Sequence, residues 1–493
     1  MAHLNRRSSA LRHALVLGLA WAAAFCGPTQ AEPVSAGPLA SRFGLTLAHG
    51  ERTDVLGPLF YDEASTEHDL TALPPLWSCT RYREIDAKEI DVLYPLLTYD
   101  RFGEEYRVQL FQLFSFAGGQ NQNSTNAHRF TVFPFYFQQR SPVPAENYTA
   151  FLPFYGNLRN RLFRDEIHFV LWPAYVQTRK RDVVTDNFLV PFFHLRHGDG
   201  LQGWQFWPLL GAEQKKVTQR TNHWGDVENV GGHDKLFALW PIFSKQTTGL
   251  GTTNVNDRLA VLPLFSLQKS ALRDSTAAPW PLGLSYTVDR EKKYTEWGAP
   301  WPLIVFARGE GKTTSRVWPF FSQSHNATLQ SDFYLWPLYK FNRVHADPLD
   351  RERTRILFFL YSDTVERNTE TGKAKHRVDA WPFFTFRRDW NGHERSQALA
   401  LLEPFLPNNK SIERNYSPLW ALWRAEKNAV TGAHAESFLW NLYRQDTIVA
   451  TNSATSGSVT NTKGSMLFGL VRWRVTPEGR KAKWFYLPGE TTY

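Results

Sequence analysis

The stretch Phe333-Tyr-Leu-Trp-Pro-Leu-Tyr-Lys-Phe341 recurs with variations along most of this 493-residue chain. Copies include Phe237-Ala-Leu-Trp-Pro-Ile-Phe-Ser-Lys245, Phe169-Val-Leu-Trp-Pro-Ala-Tyr-Val-Gln177 and Val378-Asp-Ala-Trp-Pro-Phe-Phe-Thr-Phe386. Alternate residues counted from the proline form one apolar side, and the other side has polar ends. A period of two with aromatic and branched residues is typical of a β-strand, whereas a helix needs a period of 3.6 and is disrupted by proline. The repeat therefore predicts an all-β chain.

The spacing of the repeats predicts the topology. Prolines at positions 134, 153, 173, 191 and 208 are 17 to 20 residues apart. Turn-forming segments such as Arg196-His-Gly-Asp-Gly200 lie between them, and their Gly and Asp residues suit tight hairpins. We interpret each repeat as one strand centred on its proline, with a bend or bulge at Trp-Pro because proline cannot donate a ladder hydrogen bond. This predicts an antiparallel meander of about twenty strands, closed into a barrel.

The chain divides into three predicted segments. Residues 1–31 resemble an export signal, with Arg6, Arg7 and Arg12 before a short apolar core and Thr29-Gln-Ala31 as a cleavage site. A membrane anchor and a lipoprotein modified at Cys26 are the alternatives. Residues 32–92 are an irregular N-terminal segment or degenerate repeats, and residues 93–493 form a single β-repeat domain.

Composition limits the partners and the means of stabilisation. Removing the predicted signal lowers the net charge from +9 to +6, which is a mild excess over so long a chain. Such a charge favours anionic lipid or polysaccharide and gives no indication of nucleic-acid binding. Only Cys79 remains after cleavage, so no disulfide can form within the chain.

No motif predicts catalytic, cofactor-binding or metal-binding residues, and no cofactor is expected. Gly309-Glu-Gly-Lys-Thr313 lacks the first glycine of a phosphate loop, so we interpret it as a hairpin turn. His194 and His197 lie close in sequence, but no further ligands accompany them. The protein is therefore predicted not to be an enzyme.

Two charged positions and the aromatic residues need an interpretation. Asp350-Arg-Glu-Arg353 alternates in sign and is interpreted as a solvated turn. Glu403, inside an apolar stretch taken as a strand, is interpreted as an inward-facing charge in a lumen or an interface. Trp and Tyr at fixed repeat positions are expected to be core residues, although sugar stacking is an alternative role.

The repeats resemble tandem Leu-Trp-Pro-Leu-Phe repeat proteins of bacterial envelopes. The resemblance covers residues 93–443 and rests on Trp-Pro pairs at 172–173, 240–241, 318–319, 336–337 and 381–382. It implies a location in the envelope and no functional residues.

Three functions are compatible with this pattern. The leading hypothesis is a non-enzymatic outer-membrane or envelope β-barrel-like protein with a structural or transport role, because an apolar face of about nine residues matches the ~9–11 residues of a spanning strand. The alternative is a soluble periplasmic or surface β-repeat protein that binds polysaccharide or another envelope component. An envelope enzyme has the least support, because no paired carboxylates recur.

Overall fold

The computed structural model describes residues 35–120, 127–221, 224–452, 457–485 and 491–492. The predicted export signal lies outside these residues. The described chain is almost entirely β-strand. Its few helical segments are a 3-10 turn at Pro144–Glu146 and two short helices, α1 (Lys410–Asn415) and α2 (Ser417–Trp420).

The strands are short, and most contain five to eight residues. In the first half of the chain they are β1 (Ala40–Gly44), β2 (Gly50–Val55), β3 (Phe60–Ser65), β4 (His68–Leu73), β5 (Trp77–Tyr82), β6 (Ala87–Val92), β7 (Leu97–Phe102), β8 (Glu105–Leu110), β9 (Phe114–Gly118), β10 (His128–Val132), β11 (Tyr136–Arg140), β12 (Tyr148–Phe151), β13 (Tyr155–Arg161), β14 (Arg164–Val170), β15 (Tyr175–Lys180), β16 (Val183–Phe188), β17 (Phe193–Gly198), β18 (Leu201–Phe206), β19 (Leu210–Lys215), β20 (Thr218–Thr221), β21 (Val227–Val230) and β22 (Gly232–Ala238). In the second half they are β23 (Phe243–Leu250), β24 (Asn256–Val261), β25 (Phe265–Ser270), β26 (Arg273–Ala278), β27 (Leu284–Asp289), β28 (Tyr294–Gly298), β29 (Ile304–Gly309), β30 (Thr313–Val317), β31 (Phe321–His325), β32 (Leu329–Tyr334), β33 (Tyr339–Ala346), β34 (Leu349–Ile356), β35 (Tyr361–Asn368), β36 (Ala374–Ala380), β37 (Phe384–Arg388), β38 (Glu394–Ala398), β39 (Trp423–Lys427), β40 (His434–Phe438), β41 (Tyr443–Asn452), β42 (Gly457–Met466), β43 (Val471–Thr476), β44 (Gly479–Trp484) and β45 (Thr491–Thr492).

The described strands build one 43-stranded antiparallel sheet, in which each strand pairs with the next along the chain. The exceptions are β20 and β21, which form a separate hairpin inserted between β19 and β22. The prediction of an all-β antiparallel meander is confirmed. The predicted number of about twenty strands is wrong, because each repeat of about twenty residues contributes two strands and not one.

The Trp-Pro pairs lie in turns, which explains the doubled strand count. β32 ends at Tyr334, β33 begins at Tyr339, and the Leu338 N–H closes the turn by donating to the Leu335 carbonyl over 2.7 Å. Leu335 adopts a left-handed backbone with φ of 46°. Since the strand ends before Pro337, the missing proline N–H leaves no gap in the ladder. The predicted bend or bulge within a strand is therefore a complete reversal of the chain.

Neighbouring Trp-Pro turns are also bonded to each other. The Trp336 N–H donates to the Pro319 carbonyl over 2.8 Å, and Trp240 and Pro208 form the same contact over 2.6 Å. The proline carbonyl therefore accepts from the next repeat, and the line of turns is held along one edge of the sheet. We call this edge, made of the Trp-Pro turns and their proline-free equivalents, the proline edge. The opposite edge, made of the intervening hairpin turns, is the polar edge.

The two faces of the sheet carry different side chains. Register pairs Tyr334 with Tyr339 and Phe321 with Tyr334, so the apolar alternate positions of successive strands share one face. On the other face Ser322, Thr314 and Thr80 are almost completely buried. We call these the apolar face and the polar face.

The two ends of the sheet meet through their polar faces. The Arg444 guanidinium lies 3.4 Å from the Phe43 ring centre, Asn441 donates to Asp54 over 2.9 Å, and Asn428 donates to the Thr46 carbonyl over 3.1 Å. The polar face is thus on the inside of a curled sheet. Within the described residues, no backbone ladder joins β1 to β44 or β45.

Candidate functional site

The proline edge exposes a row of large apolar side chains. Phe320, Phe383 and Leu264 are 60%, 69% and 64% exposed, and each directly follows the proline of a turn between two strands. Other exposed apolar residues of this edge are Leu76, Leu93, Phe111, Phe133, Phe135, Phe154, Leu171, Trp172, Leu189, Phe192, Leu209, Leu239, Trp240, Ile242, Trp318, Leu335, Trp336, Leu338, Phe358 and Leu467. Contiguous apolar surface of this extent marks an interaction site.

The apolar face extends this surface inward from the edge. The residues nearest the turns are apolar in strand after strand and include Phe114, Phe151, Tyr155, Val170, Phe188, Phe206, Leu210, Leu284, Tyr334, Ile356, Phe438 and Trp484, all of them exposed. Aromatic rings meet across strands, as in Tyr334 and Tyr339 with centroids 5.9 Å apart. Two residues further along each strand, at the next position on the same face, polar residues such as Asp186 and Gln177 begin to alternate with apolar ones. We call the proline edge with this adjoining row the apolar rim.

The polar edge has a different character. Its turns carry charged and small residues, and the turns at 290–293 and 310–312 are joined by an ion pair between Lys293 and Glu310 at 2.9 Å. Exposed apolar residues also occur here, notably Phe163 and Val430. The sheet is therefore amphipathic in two directions, from edge to edge and from face to face.

The expectation that the repeated Trp residues form the core is wrong. Trp336 is 42% exposed, and its ring contacts the exposed edge residues Trp318 and Phe358. The buried apolar clusters are small and lie elsewhere. One contains Tyr148, Ala150, Leu158, Ile167 and Phe169, and the other contains Tyr61, Leu70 and Ala72.

A helical insertion after β38 connects the two ends of the sheet. Arg414 of α1 donates to Thr80 Oγ1 over 2.9 Å and to the Asp91 carboxylate over 3.0 Å, and it also pairs with Glu89. Its backbone carbonyl accepts a hydrogen bond of 2.8 Å from the Tyr61 hydroxyl. A helix from the C-terminal half is thereby fixed to β3, β5 and β6.

Around Arg414, charged side chains of the N-terminal strands neutralise each other. Arg52 pairs with Asp54 at 2.7 Å and with Glu63 at 3.4 Å. Burial by itself raises the pKa of Glu63, but the hydrogen bond from His68 and the charge of Arg52 outweigh it and hold that pKa below its ordinary value. Burial also raises the pKa of the Tyr61 hydroxyl to about 12. The Glu63 carboxylate is therefore ionised at neutral pH.

A cavity of about 420 Å³ lies within this cluster. Arg52, Glu63, Lys410, Arg424, Glu426 and Arg444 contribute to its walls. In this arrangement Glu63 pairs with Arg52 and Glu426 pairs with Arg395, while Arg424 donates a hydrogen bond to Gln397. Its chemistry is that of an ionic contact between the sheet ends.

The structure separates several residues that are close in sequence. His194 and His197 are both on β17, but an offset of three places them on opposite faces, so they cannot share a metal ion. Gly309-Glu-Gly-Lys-Thr313 spans the turn between β29 and β30, as predicted.

Two charged segments differ from their predicted setting. Glu403 lies in the irregular segment after β38 and not in a strand. It accepts from Trp420 Nε1 over 3.0 Å and from Gln397 over 3.1 Å, so it supports the helical insertion. Asp350-Arg-Glu-Arg353, interpreted as a turn, belongs to the strand β34.

Among the described residues, no group of three or more His, Cys, Asp or Glu side chains is arranged to hold a metal ion. The described part of the chain also contains no helix long and apolar enough to cross a membrane. No protein-family model matches the chain, and comparison with curated proteins gave no match.

Proposed function

We propose that this is a non-enzymatic bacterial envelope protein, exported to the outer membrane, where the apolar rim contacts lipid and the protein has a structural or transport role. The observation that carries this proposal is the rim itself, a continuous row of exposed Phe, Leu and Trp side chains along one edge of the sheet. Exposed apolar surface gains ~25 cal/mol for each Å² removed from water, so a row of this length favours insertion strongly.

Strand length favours insertion of the rim over a full crossing of the bilayer. The expectation of a nine-residue apolar face is wrong, since most strands contain five to eight residues and only the positions near the proline edge are consistently apolar. A spanning strand needs ~9–11 residues. We therefore propose that the rim enters one leaflet and the polar edge stays in water.

We also propose that the sheet acts as a closed, barrel-like wall. Three residues join the polar faces of the two ends. Arg414 contacts β5 and β6, Asn441 contacts β2, and Asn428 contacts the turn after β1. With neighbouring strands ~4.8 Å apart, 43 strands make a sheet about 200 Å wide, enough to surround a large polar interior.

Cell fractionation tests this function against the alternative. A membrane-attached protein stays in the membrane pellet after high-salt and alkaline washing, because these treatments act on charges and leave apolar burial intact. Recovery of folded protein in the osmotic-shock fluid without detergent contradicts the proposal. That result favours a soluble periplasmic or surface protein that binds polysaccharide or another envelope component.

A further inference from the structure

The charges of β34 are separated by the two-residue period of the strand. In the stretch Asp350-Arg-Glu-Arg-Thr-Arg355 the acids are on the apolar face and the three arginines are on the polar face. Arg355 stands directly opposite Lys340 of β33 in the ladder. We call Lys340, Arg351, Arg353 and Arg355 the cationic patch.

The acids of β34 are occupied by cations of their own face. Asp350 accepts two hydrogen bonds from Arg343, at 3.0 and 2.8 Å, and Glu352 pairs with Arg367 at 3.3 Å. Neither carboxylate is therefore available to the cationic patch behind them. Lys340, Arg353 and Arg355 make no ion pair or side-chain hydrogen bond with any described residue.

Neighbouring arginines of the polar face differ in this respect. Arg377 pairs with Asp379 at 2.8 Å, Arg387 pairs with Glu413, and Arg395 pairs with Glu426 at 3.2 Å. The charge of Asp379 by itself raises the pKa of Arg353, but this carboxylate is bound by Arg377 and Thr385.

Among the described residues, Glu366 is the one acid directly opposite the cationic patch in the ladder, where it pairs with Arg351. Like charges directly opposite each other in a sheet are destabilising. The pairing of Lys340 with Arg355 across the ladder is therefore a repulsive contact that the sequence retains.

Two further observations indicate that this surface can accept an anion. Arg355 Nε is buried and has no hydrogen-bond acceptor in the described part of the chain. Burial and the charge of Arg355 lower the pKa of both Lys340 and Arg353. An anion placed between these side chains removes the repulsion and supplies the acceptor.

We infer that the cationic patch binds a phosphate-bearing ligand, with Arg353 and Arg355 as the two principal contacts and Lys340 as the third. Alternate residues of a strand lie ~7 Å apart on one face, so two guanidinium groups can reach one phosphate or diphosphate group. Arginine suits this role because its planar fork donates two parallel hydrogen bonds to phosphate oxygens. A lipid headgroup and a soluble phosphorylated compound share this chemistry. The inference does not rest on membrane attachment.

Calorimetric titration of the purified protein tests the site. Inorganic pyrophosphate represents a soluble ligand, and dihexanoyl phosphatidic acid, used as dissolved monomer, represents a lipid headgroup. We expect at least one of them to bind, with an affinity that falls as salt is raised. The variant R353Q/R355Q is expected to weaken binding by about tenfold or more, since it removes the charge-assisted hydrogen bonds to the phosphate oxygens. Lys340→Gln alone is expected to weaken it less.

The matched control is R258Q/K269Q, which removes two charges from the distant hairpin of β24 and β25. We expect this control to bind like the wild type, and R353Q/R355Q to melt no lower than the wild type because a repulsion is removed. Binding of pyrophosphate identifies a soluble ligand, and preference for phosphatidic acid identifies a lipid headgroup. Absence of binding to both probes, or equal losses in the control and the patch variants, overturns the inference.

Discussion

Arg414 donates to the Asp91 carboxylate over 3.0 Å and thereby joins two residues that are 323 positions apart in the chain. Both side chains are buried, and Asn415 donates to the same carboxylate over 2.9 Å. Because Arg414 follows β38 and Asp91 is on β6, this contact fixes the C-terminal part of the sheet to its N-terminal end.

Removing one partner of this pair should destabilise the contact between the sheet ends. Arg414→Ala leaves Asp91 buried without its counter-ion, and breaking a buried ion pair in this way costs ~3–5 kcal/mol. We expect a lower midpoint of urea unfolding and faster proteolysis of residues near α1. Chemical unfolding and mass spectrometry of the fragments measure the two effects.

Arg367→Ala is the control for this prediction. Arg367 pairs with Glu352 on the apolar face of the sheet. The Arg367 side chain is about half exposed to solvent, and an ion pair in such a setting contributes only ~0–1 kcal/mol. Equal unfolding midpoints for the two variants would show that the Arg414 contact does not hold the sheet ends together.

The ionic cluster between the ends should make stability depend on acid pH. The pKa of Glu63 is below its ordinary value of about 4.5 in the folded protein, so its contribution is fully present above that value. It is lost as the pH falls from about 4.5 through the lower folded pKa. Melting temperatures measured between pH 3 and 7 should fall in this acid range, and Glu63→Gln should reduce the slope there. An unchanged slope in the variant contradicts the assignment to Glu63.

Trp336→Ala should have a small effect on folding, contrary to the core role expected of repeated aromatic residues. The side chain is nearly half exposed, whereas Phe169 is 2% exposed within a buried cluster. Phe169→Ala should cost ~3–5 kcal/mol, and thermal melting of the two variants compares them directly. A larger loss for Trp336→Ala than for Phe169→Ala would place the tryptophan row in the core after all.

The sequence was sufficient to predict strands, their antiparallel order and their apolar face, because a period of two depends only on local geometry. The strand number was not predictable in the same way. Pro337 was taken as a strand centre since apolar residues continue on both sides of it, but Leu335 to Leu338 reverse the chain. A left-handed φ at a leucine has no sequence signal comparable to that of glycine.

The ionic contacts were also beyond the reach of the sequence. Arg414 and Asp91 are isolated charges in the chain, and only the curl of the sheet brings them together. The cationic patch did have a signal. The alternating signs of residues 350–353 were interpreted as a turn, whereas in a strand the same alternation places opposite charges on opposite faces.

The central claim is that the apolar rim inserts into lipid, and flotation with vesicles of phosphatidylethanolamine and phosphatidylglycerol tests it most directly. The test variant is F320E/F383E, which places two charges on the rim. The control is F163E/V430E, which makes the same change in charge at exposed apolar residues of the polar edge. We expect the wild type and the control to float with the vesicles and F320E/F383E to remain largely at the bottom of the gradient. Equal flotation of both variants, or a wild type that does not float, would contradict the claim.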